Sequence, residues 1–256
     1  NYLLYNKIIS TQGSFMLDFR KFKVEIYTNK ETPITDNTNL TYIKDETRDD
    51  LFVKIYYDKI EIGRGIILDF YKEFENIEEN GNIVTKIKTF SSNGKTHESF
   101  TNYGQKIYKL KYLKSPPIEE EERKKYIEIF ANEMNAYVEV IAKKYKDIKL
   151  SYISSSSLVP DEIVEKIKDL SSLEVENIII KNSGQDSKSI TTFKDGVENS
   201  ILKYTLNESL LLLSHQYIVI DDVMGNGSSI ATILKKLYDK TNTLNFFLIV
   251  AKDIKR

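Results

Sequence analysis

The chain has 256 residues, with 37 Lys and Arg against 38 Asp and Glu and a net charge of -1. So even a balance gives no sign of a nucleic-acid or membrane-surface binder, and the absence of cysteine excludes disulfides, cysteine-ligated zinc and thiol catalysis. No apolar run approaches the ~18 to 20 residues that cross a bilayer, and the first ten residues lack the pattern of a signal peptide. A soluble, cytoplasmic protein of two modest domains is expected.

From Ser14 to about Tyr112 the pattern favours strands. Phe22, Val24 and Ile26 alternate with polar neighbours, and residues 51–70 are rich in Ile, Val, Phe and Tyr. Asn80-Gly81 and Asn93-Gly94 are tight-turn signals that bracket the strand-like NIVTKIKTF. An antiparallel, partly open sheet is expected, with a polar loop over residues 28–41. His97, alone in a polar turn, reads as a solvated residue.

Pro116 and Pro117 mark the clearest joint. They predict a β-rich N-terminal domain over residues 1–114, with room for a protein partner, and a second domain over residues 118–256. Glu119, Glu120, Glu121 and Glu122 suit a helix start. Ile127, Phe130, Met134, Tyr137, Val138, Ile141 and Tyr145 then form one apolar face of a helix lasting to about Lys146.

Beyond that helix, strands and helices alternate, which is the pattern of an α/β, doubly wound, mostly parallel sheet. Residues 148–153 read as a strand, followed by Ser154, Ser155, Ser156 and Ser157 and a helix from Val159-Pro160 through Leu170. Ligands of open α/β sheets bind at the carboxyl ends of strands, so the four serines are either a ligand loop or a polar loop that caps the next helix. Residues 178–180 predict another buried strand. The polar stretch over residues 181–196 carries only Lys181, Lys188 and Lys194 as cations, and His215 reads as a strand-edge residue.

Residues 216–237, QYIVIDDVMGNGSSIATILKKL, combine a short β-branched strand, the acids Asp221 and Asp222, a glycine turn and a helix with apolar positions at Ile230, Ile233, Leu234 and Leu237. Glycines let backbone N–H groups curl round an anion, and the helix start points partial positive charge at the same place. Carboxylates would repel that anion but accept hydrogen bonds from the vicinal hydroxyls of a sugar carrying it. The pattern predicts a ribose 5-phosphate site. Taken apart, the same pieces also occur in metal sites and ordinary strand-to-helix turns.

The run IVIDDVMGNGSS over residues 218–229 resembles the signature of the type I phosphoribosyltransferases. That resemblance covers residues 107–256. It implies that Asp221 and Asp222, as the catalytic pair, bind the ribose hydroxyls of 5-phosphoribosyl 1-diphosphate (PRPP). It further implies that Val223, Met224, Gly225, Asn226, Gly227, Ser228 and Ser229 hold the 5-phosphate. Asn226 stands where the family usually has threonine. By the same resemblance, Ser154 to Ser157 form the diphosphate loop, and Lys252, after the buried strand of residues 245–251, reads the acceptor. Mg²⁺ arrives with PRPP and no direct metal ligand is implied. The run IYKLKY over residues 107–112 is similar to one in ComF-type competence proteins. Two functions follow as expectations: phosphoribosyl transfer to a nucleobase or related nitrogen acceptor, or binding of PRPP or a nucleoside monophosphate by a non-catalytic regulator or effector related to DNA uptake or phage defence.

Overall fold

A computed structural model of the chain describes residues 17–28, 50–113, 116–182, 190 and 192–253. Residues 29–41 of the expected polar loop and Lys188 lie outside the described residues, whereas Pro116 and Pro117 of the expected joint lie within them.

The elements in chain order are β1 (Phe22–Thr28), β2 (Leu51–Tyr57), β3 (Ile60–Phe70), β4 (Phe74–Glu79), β5 (Asn82–Ile87), β6 (Thr89–Ser92), β7 (Lys95–Glu98), α1 (Asn102–Tyr112) and α2 (Glu120–Lys144). There follow β8 (Ile148–Tyr152), α3 (Val159–Ser171), β9 (Ile179–Lys181), α4 (Phe193–Lys203), β10 (Tyr204–Leu206), β11 (Gln216–Met224), α5 (Ser228–Thr241) and β12 (Asn245–Lys252).

One six-stranded sheet of order β1-β2-β3-β12-β11-β8 organises the molecule. β1, β2 and β3 run antiparallel, whereas β3, β12, β11 and β8 are mutually parallel. The sheet is therefore mixed, with helices on both faces. α1, α2 and α3 cover one face through Ile107, Phe130, Met134, Val138 and Ile163, which pack on Ile66, Leu150, Ile218 and Leu248. The other face carries α5, whose Ile230, Ile233, Leu234 and Leu237 pack on Val53, Val219 and Phe247.

The expected separation into 1–114 and 118–256 is corrected by this sheet. β3 pairs with β12 from Gly63↔Asn245 to Phe70↔Lys252, so the N-terminal strands extend the C-terminal sheet. The reason is burial: β3 is covered on both faces along most of its length, as an interior strand requires. A parallel neighbour far away in sequence supplies the second set of ladder bonds.

Three further expectations change. Residues 102–112 form a helix, α1, capped by the Thr101 hydroxyl accepting from Gly104 N at 2.9 Å. The strand at residues 178–180 does not join the main sheet, because β9 pairs only with β10. NIVTKIKTF is split at Lys88 into β5 and β6, which make separate two-stranded ribbons with β4 and β7. The turns close as Asn-Gly pairs should, with positive φ at Asn80, Gly81, Asn93 and Gly94. Asp58 and Lys59 make an equivalent β2–β3 turn without a glycine.

Candidate functional site

β11 is the element that builds the site. Its pairing with β8 ends at Ile220↔Tyr152, while its pairing with β12 continues to Met224↔Lys252. Asp221 and Asp222 thus lie within the strand, not after its end, on the length that outlasts β8. There they line a cleft of about 350 Å³ with Ser154, Ser155, the turn from Gly225 to Ser229, and residues of α1 and α4. That size is in the range of small-molecule sites.

Successive residues of a strand face opposite ways, and the two acids obey this. Asp222 shares the face of Ile218 and Ile220, toward α1. Its carboxylate is buried and ion-paired, with Lys111 Nζ at 2.7 Å from Oδ2 and Ser157 Oγ at 3.5 Å from the same oxygen. Burial alone would lower the Lys111 pKa. The charge of Asp222, its hydrogen bond and the charge of Asp221 outweigh that effect and hold the ammonium above its ordinary value.

Asp221 shares the face of Tyr217 and Val219, toward α4 and α5. It is enclosed by protein on that side but open to the cleft. Burial, then the charge of Asp222, push its carboxyl up to about 8, against the pull of Lys111, a hydrogen bond from Asp222 N and the charge of Lys181. Burial and the Asp221 charge likewise push the Tyr204 phenol up to about 12, opposed by a hydrogen bond with Ser229. Burial favours the neutral form of Asp221 and Lys111 balances the charge of Asp222, so the strand end repels a nearby anion less than two free carboxylates would.

The glycine turn is held from several sides. Gly227 has φ of +85°, a left-handed conformation that glycine adopts without strain, and it starts α5. Asn226 braces the turn: its Oδ1 accepts from Ser228 N at 3.1 Å and from Ser228 Oγ at 2.7 Å, and its Nδ2 donates to the Thr192 carbonyl at 3.0 Å. One of the two amide hydrogens of Asn226 is thus spent on protein. Ser228 is buried, and Ser229 Oγ lies 3.2 Å from Ser200 Oγ on α4. Val223 and Met224 also line the cleft, although the Met224 side chain is buried in the core.

Among the four serines, Ser154 and Ser155 line the cleft, whereas Ser156 and Ser157 are not among its lining residues. The loop is fixed by Ser154 Oγ donating to Asp161 at 3.0 Å and by a contact of 2.7 Å between Ser155 Oγ and Ser157 Oγ. Arg123 of α2 clamps it further, with Nη2 donating to Ser157 O at 2.8 Å and to Glu162 at 2.6 Å. Lys181 reaches the Ser154 carbonyl at 3.4 Å.

Lys252 does not face the cleft as an acceptor-reading residue would. Its Nζ donates to the Gly225 carbonyl at 2.6 Å and to the Asp253 carbonyl at 2.8 Å, so it ties the glycine turn to the end of β12. Burial holds this ammonium below its usual range, partly offset by the charge of Asp253. The residue that follows, Asp253, is the one at the end of β12 that lines the cleft.

Several lining residues escaped the sequence reading: Lys111 and Tyr112 of α1, Ser200 and Lys203 of α4, and Tyr204. Lys111 sits inside IYKLKY, but nothing in the local pattern links it to an acid over a hundred residues later. Among the described residues no group of three or more His, Asp or Glu side chains is arranged to hold a metal ion. Likewise, no helix among them is long and apolar enough to cross a membrane.

No protein-family model matches the chain, and no curated protein matches it. Among solved structures it is similar to a hypoxanthine phosphoribosyltransferase from Staphylococcus aureus in a tetragonal crystal form, at 13% identity and a TM-score of 0.31, over 49% of this chain and 61% of that one. For the orthorhombic form of the same enzyme the values are 13% and 0.29, over 51% and 66%. The chain thus spans less than two thirds of the length of the enzyme it overlays. These overlaps are too slight to carry a functional reading, which rests on the strand end itself.

Proposed function

We propose that this cleft binds the phosphoribosyl group of PRPP or of a nucleoside monophosphate. One observation carries the reading: β11 outruns β8 and holds two acids over a cleft bounded by a glycine turn at a helix start. The 5-phosphate sits against the turn from Gly225 to Ser229, where backbone N–H groups and the start of α5 favour negative charge. Asp221, open to the cleft, meets a ribose hydroxyl, and Asp222 meets the other once released from Lys111. Ser154 and Ser155 face the diphosphate.

Two carboxylates, one of them ion-paired, do not make a resident metal site. They fit an Mg²⁺ that would arrive on the diphosphate oxygens of its ligand and be held by that ligand; the ion would neutralise the leaving group. In transfer, the bond from ribose C1 to the diphosphate oxygen breaks and a bond from C1 to a nitrogen of the acceptor forms. Diphosphate leaves with the bonding pair, and the acceptor nitrogen gives up its proton to solvent water. The chain's share is positioning and charge balance. A nucleobase or related nitrogen compound is the acceptor class.

A second reading has its own support. Asn226 and Ser228 spend their polar groups on the turn itself, which suits a protein that binds PRPP or a nucleotide without turning it over. Calorimetry with PRPP and Mg²⁺ tests binding, and diphosphate release across a panel of nucleobases separates the two readings. Absence of any PRPP or nucleotide binding with Mg²⁺ present defeats both.

A further inference from the structure

Lys111 reaches the cleft from a helix that is fixed at its far end. The Thr101 hydroxyl that caps α1 also donates to the Phe70 carbonyl at the end of β3. Gly104 lies so close to the same segment that a Cβ there would come within 1.9 Å of the Tyr71 carbonyl oxygen. Two turns further on, the ammonium of Lys111 meets Asp222 Oδ2, the oxygen that Ser157 Oγ also approaches. The cation and the Ser157 hydroxyl therefore share one oxygen of Asp222, and the cation takes an acceptor position that a sugar hydroxyl would use.

We infer that Lys111 makes the cleft selective for sugar phosphates that also carry a diphosphate. It neutralises Asp222 through the ion pair. An incoming diphosphate draws the ammonium off Oδ2 by a stronger charge-assisted contact, and the released carboxylate accepts the sugar hydroxyl. A ligand with only hydroxyls and a 5-phosphate, a nucleoside monophosphate included, spends its one anion at the glycine turn, leaves the ion pair closed and binds through Asp221 without Asp222. This deepens the phosphoribosyl reading and rests on it.

The test is calorimetry on the full chain with Mg²⁺, using PRPP, inorganic diphosphate and ribose 5-phosphate as probes. Lys111→Met should weaken diphosphate and PRPP by at least about tenfold, the loss of one charged hydrogen bond, while ribose 5-phosphate changes by less than about threefold. Asp222→Asn releases the ammonium and should raise diphosphate affinity several-fold, a gain that Lys111→Met added to it abolishes. This second comparison also serves if Lys111→Met alone does not fold, because the double variant no longer strands the Asp222 carboxylate. Equal loss on all three probes, or an Asp222→Asn variant with unchanged diphosphate affinity, overturns the role of Lys111 while the phosphoribosyl reading stands. A wild type that binds neither PRPP nor ribose 5-phosphate removes both.

Discussion

On the two faces of β11, adjacent and chemically identical side chains have different fates. Asp222 points into the layer of α1, α2 and α3 and is buried against Lys111. Asp221 points toward α4 and α5, meets no cation within ion-pair distance among the described residues, and is pushed toward its neutral form by burial. A buried carboxylate has two ways to avoid an uncompensated charge, pairing or protonation, and this strand uses one on each face. The difference is set by the helices each face receives.

The largest break in that comparison comes from Lys111→Met, which strands the Asp222 carboxylate in its buried position. Removing one member of a buried pair costs about 3 to 5 kcal/mol, and the Lys111 side chain, still 18% exposed, places the loss at the lower end. A denaturant titration should show it, and adding Asp222→Asn should recover most of it.

The turn beneath the acids comes next. Gly227→Val forces a β-branched residue to φ of +85°, a strain of about 1 to 3 kcal/mol, and should lower both melting temperature and PRPP affinity. At Gly225 a Cβ meets nothing within 4 Å, so Gly225→Ala should leave stability nearly unchanged. Comparable losses at the two positions would mean that the backbone of the turn is not what positions the ligand.

The protonated acid has a signature in pH. Because folding raises the Asp221 pKa from 3.8 to about 8, its contribution is fully present below pH ~4 and is lost as pH rises through about 8. Stability of the ligand-free protein should therefore carry a downward component across that window, of at most about 1.4 kcal/mol per pH unit. Asp221→Asn should remove it. An unchanged pH profile in that variant would show that Asp221 titrates as an ordinary surface acid.

The smallest effect is expected far from the site, on the ribbon of β4 and β5. Ile83 is 78% exposed there, and Ile83→Ser should change stability by no more than about 0.5 kcal/mol. A larger loss would show that the ribbon packs on something in solution.

Local pattern made some parts of this protein legible. The apolar spacing of α2 and its acidic first turn gave a helix within two residues of the observed end, and the Asn-Gly pairs gave the turns of both ribbons. The strand, acid pair and glycine turn of residues 216–229 were recognisable because each depends on residues next to it in the chain. α1 was missed. Its run of alternating Lys, Leu and Tyr reads equally well with period 2, and its helix is fixed by packing on Tyr71 and Phe130.

What the sequence determined by itself is the chemistry of the β11 end: a β-branched strand carrying two acids into a glycine turn, with a helix behind it. The tertiary structure decided how that chemistry is poised. It joined β3 to β12, brought Lys111 to Asp222, left Asp221 to α4, and turned Lys252 onto the Gly225 carbonyl. Each of these is a contact between residues remote in the chain or a choice of face, and neither leaves a local periodic signal. Burial and the pairing of charge in a low-dielectric interior settle them only once the layers are assembled.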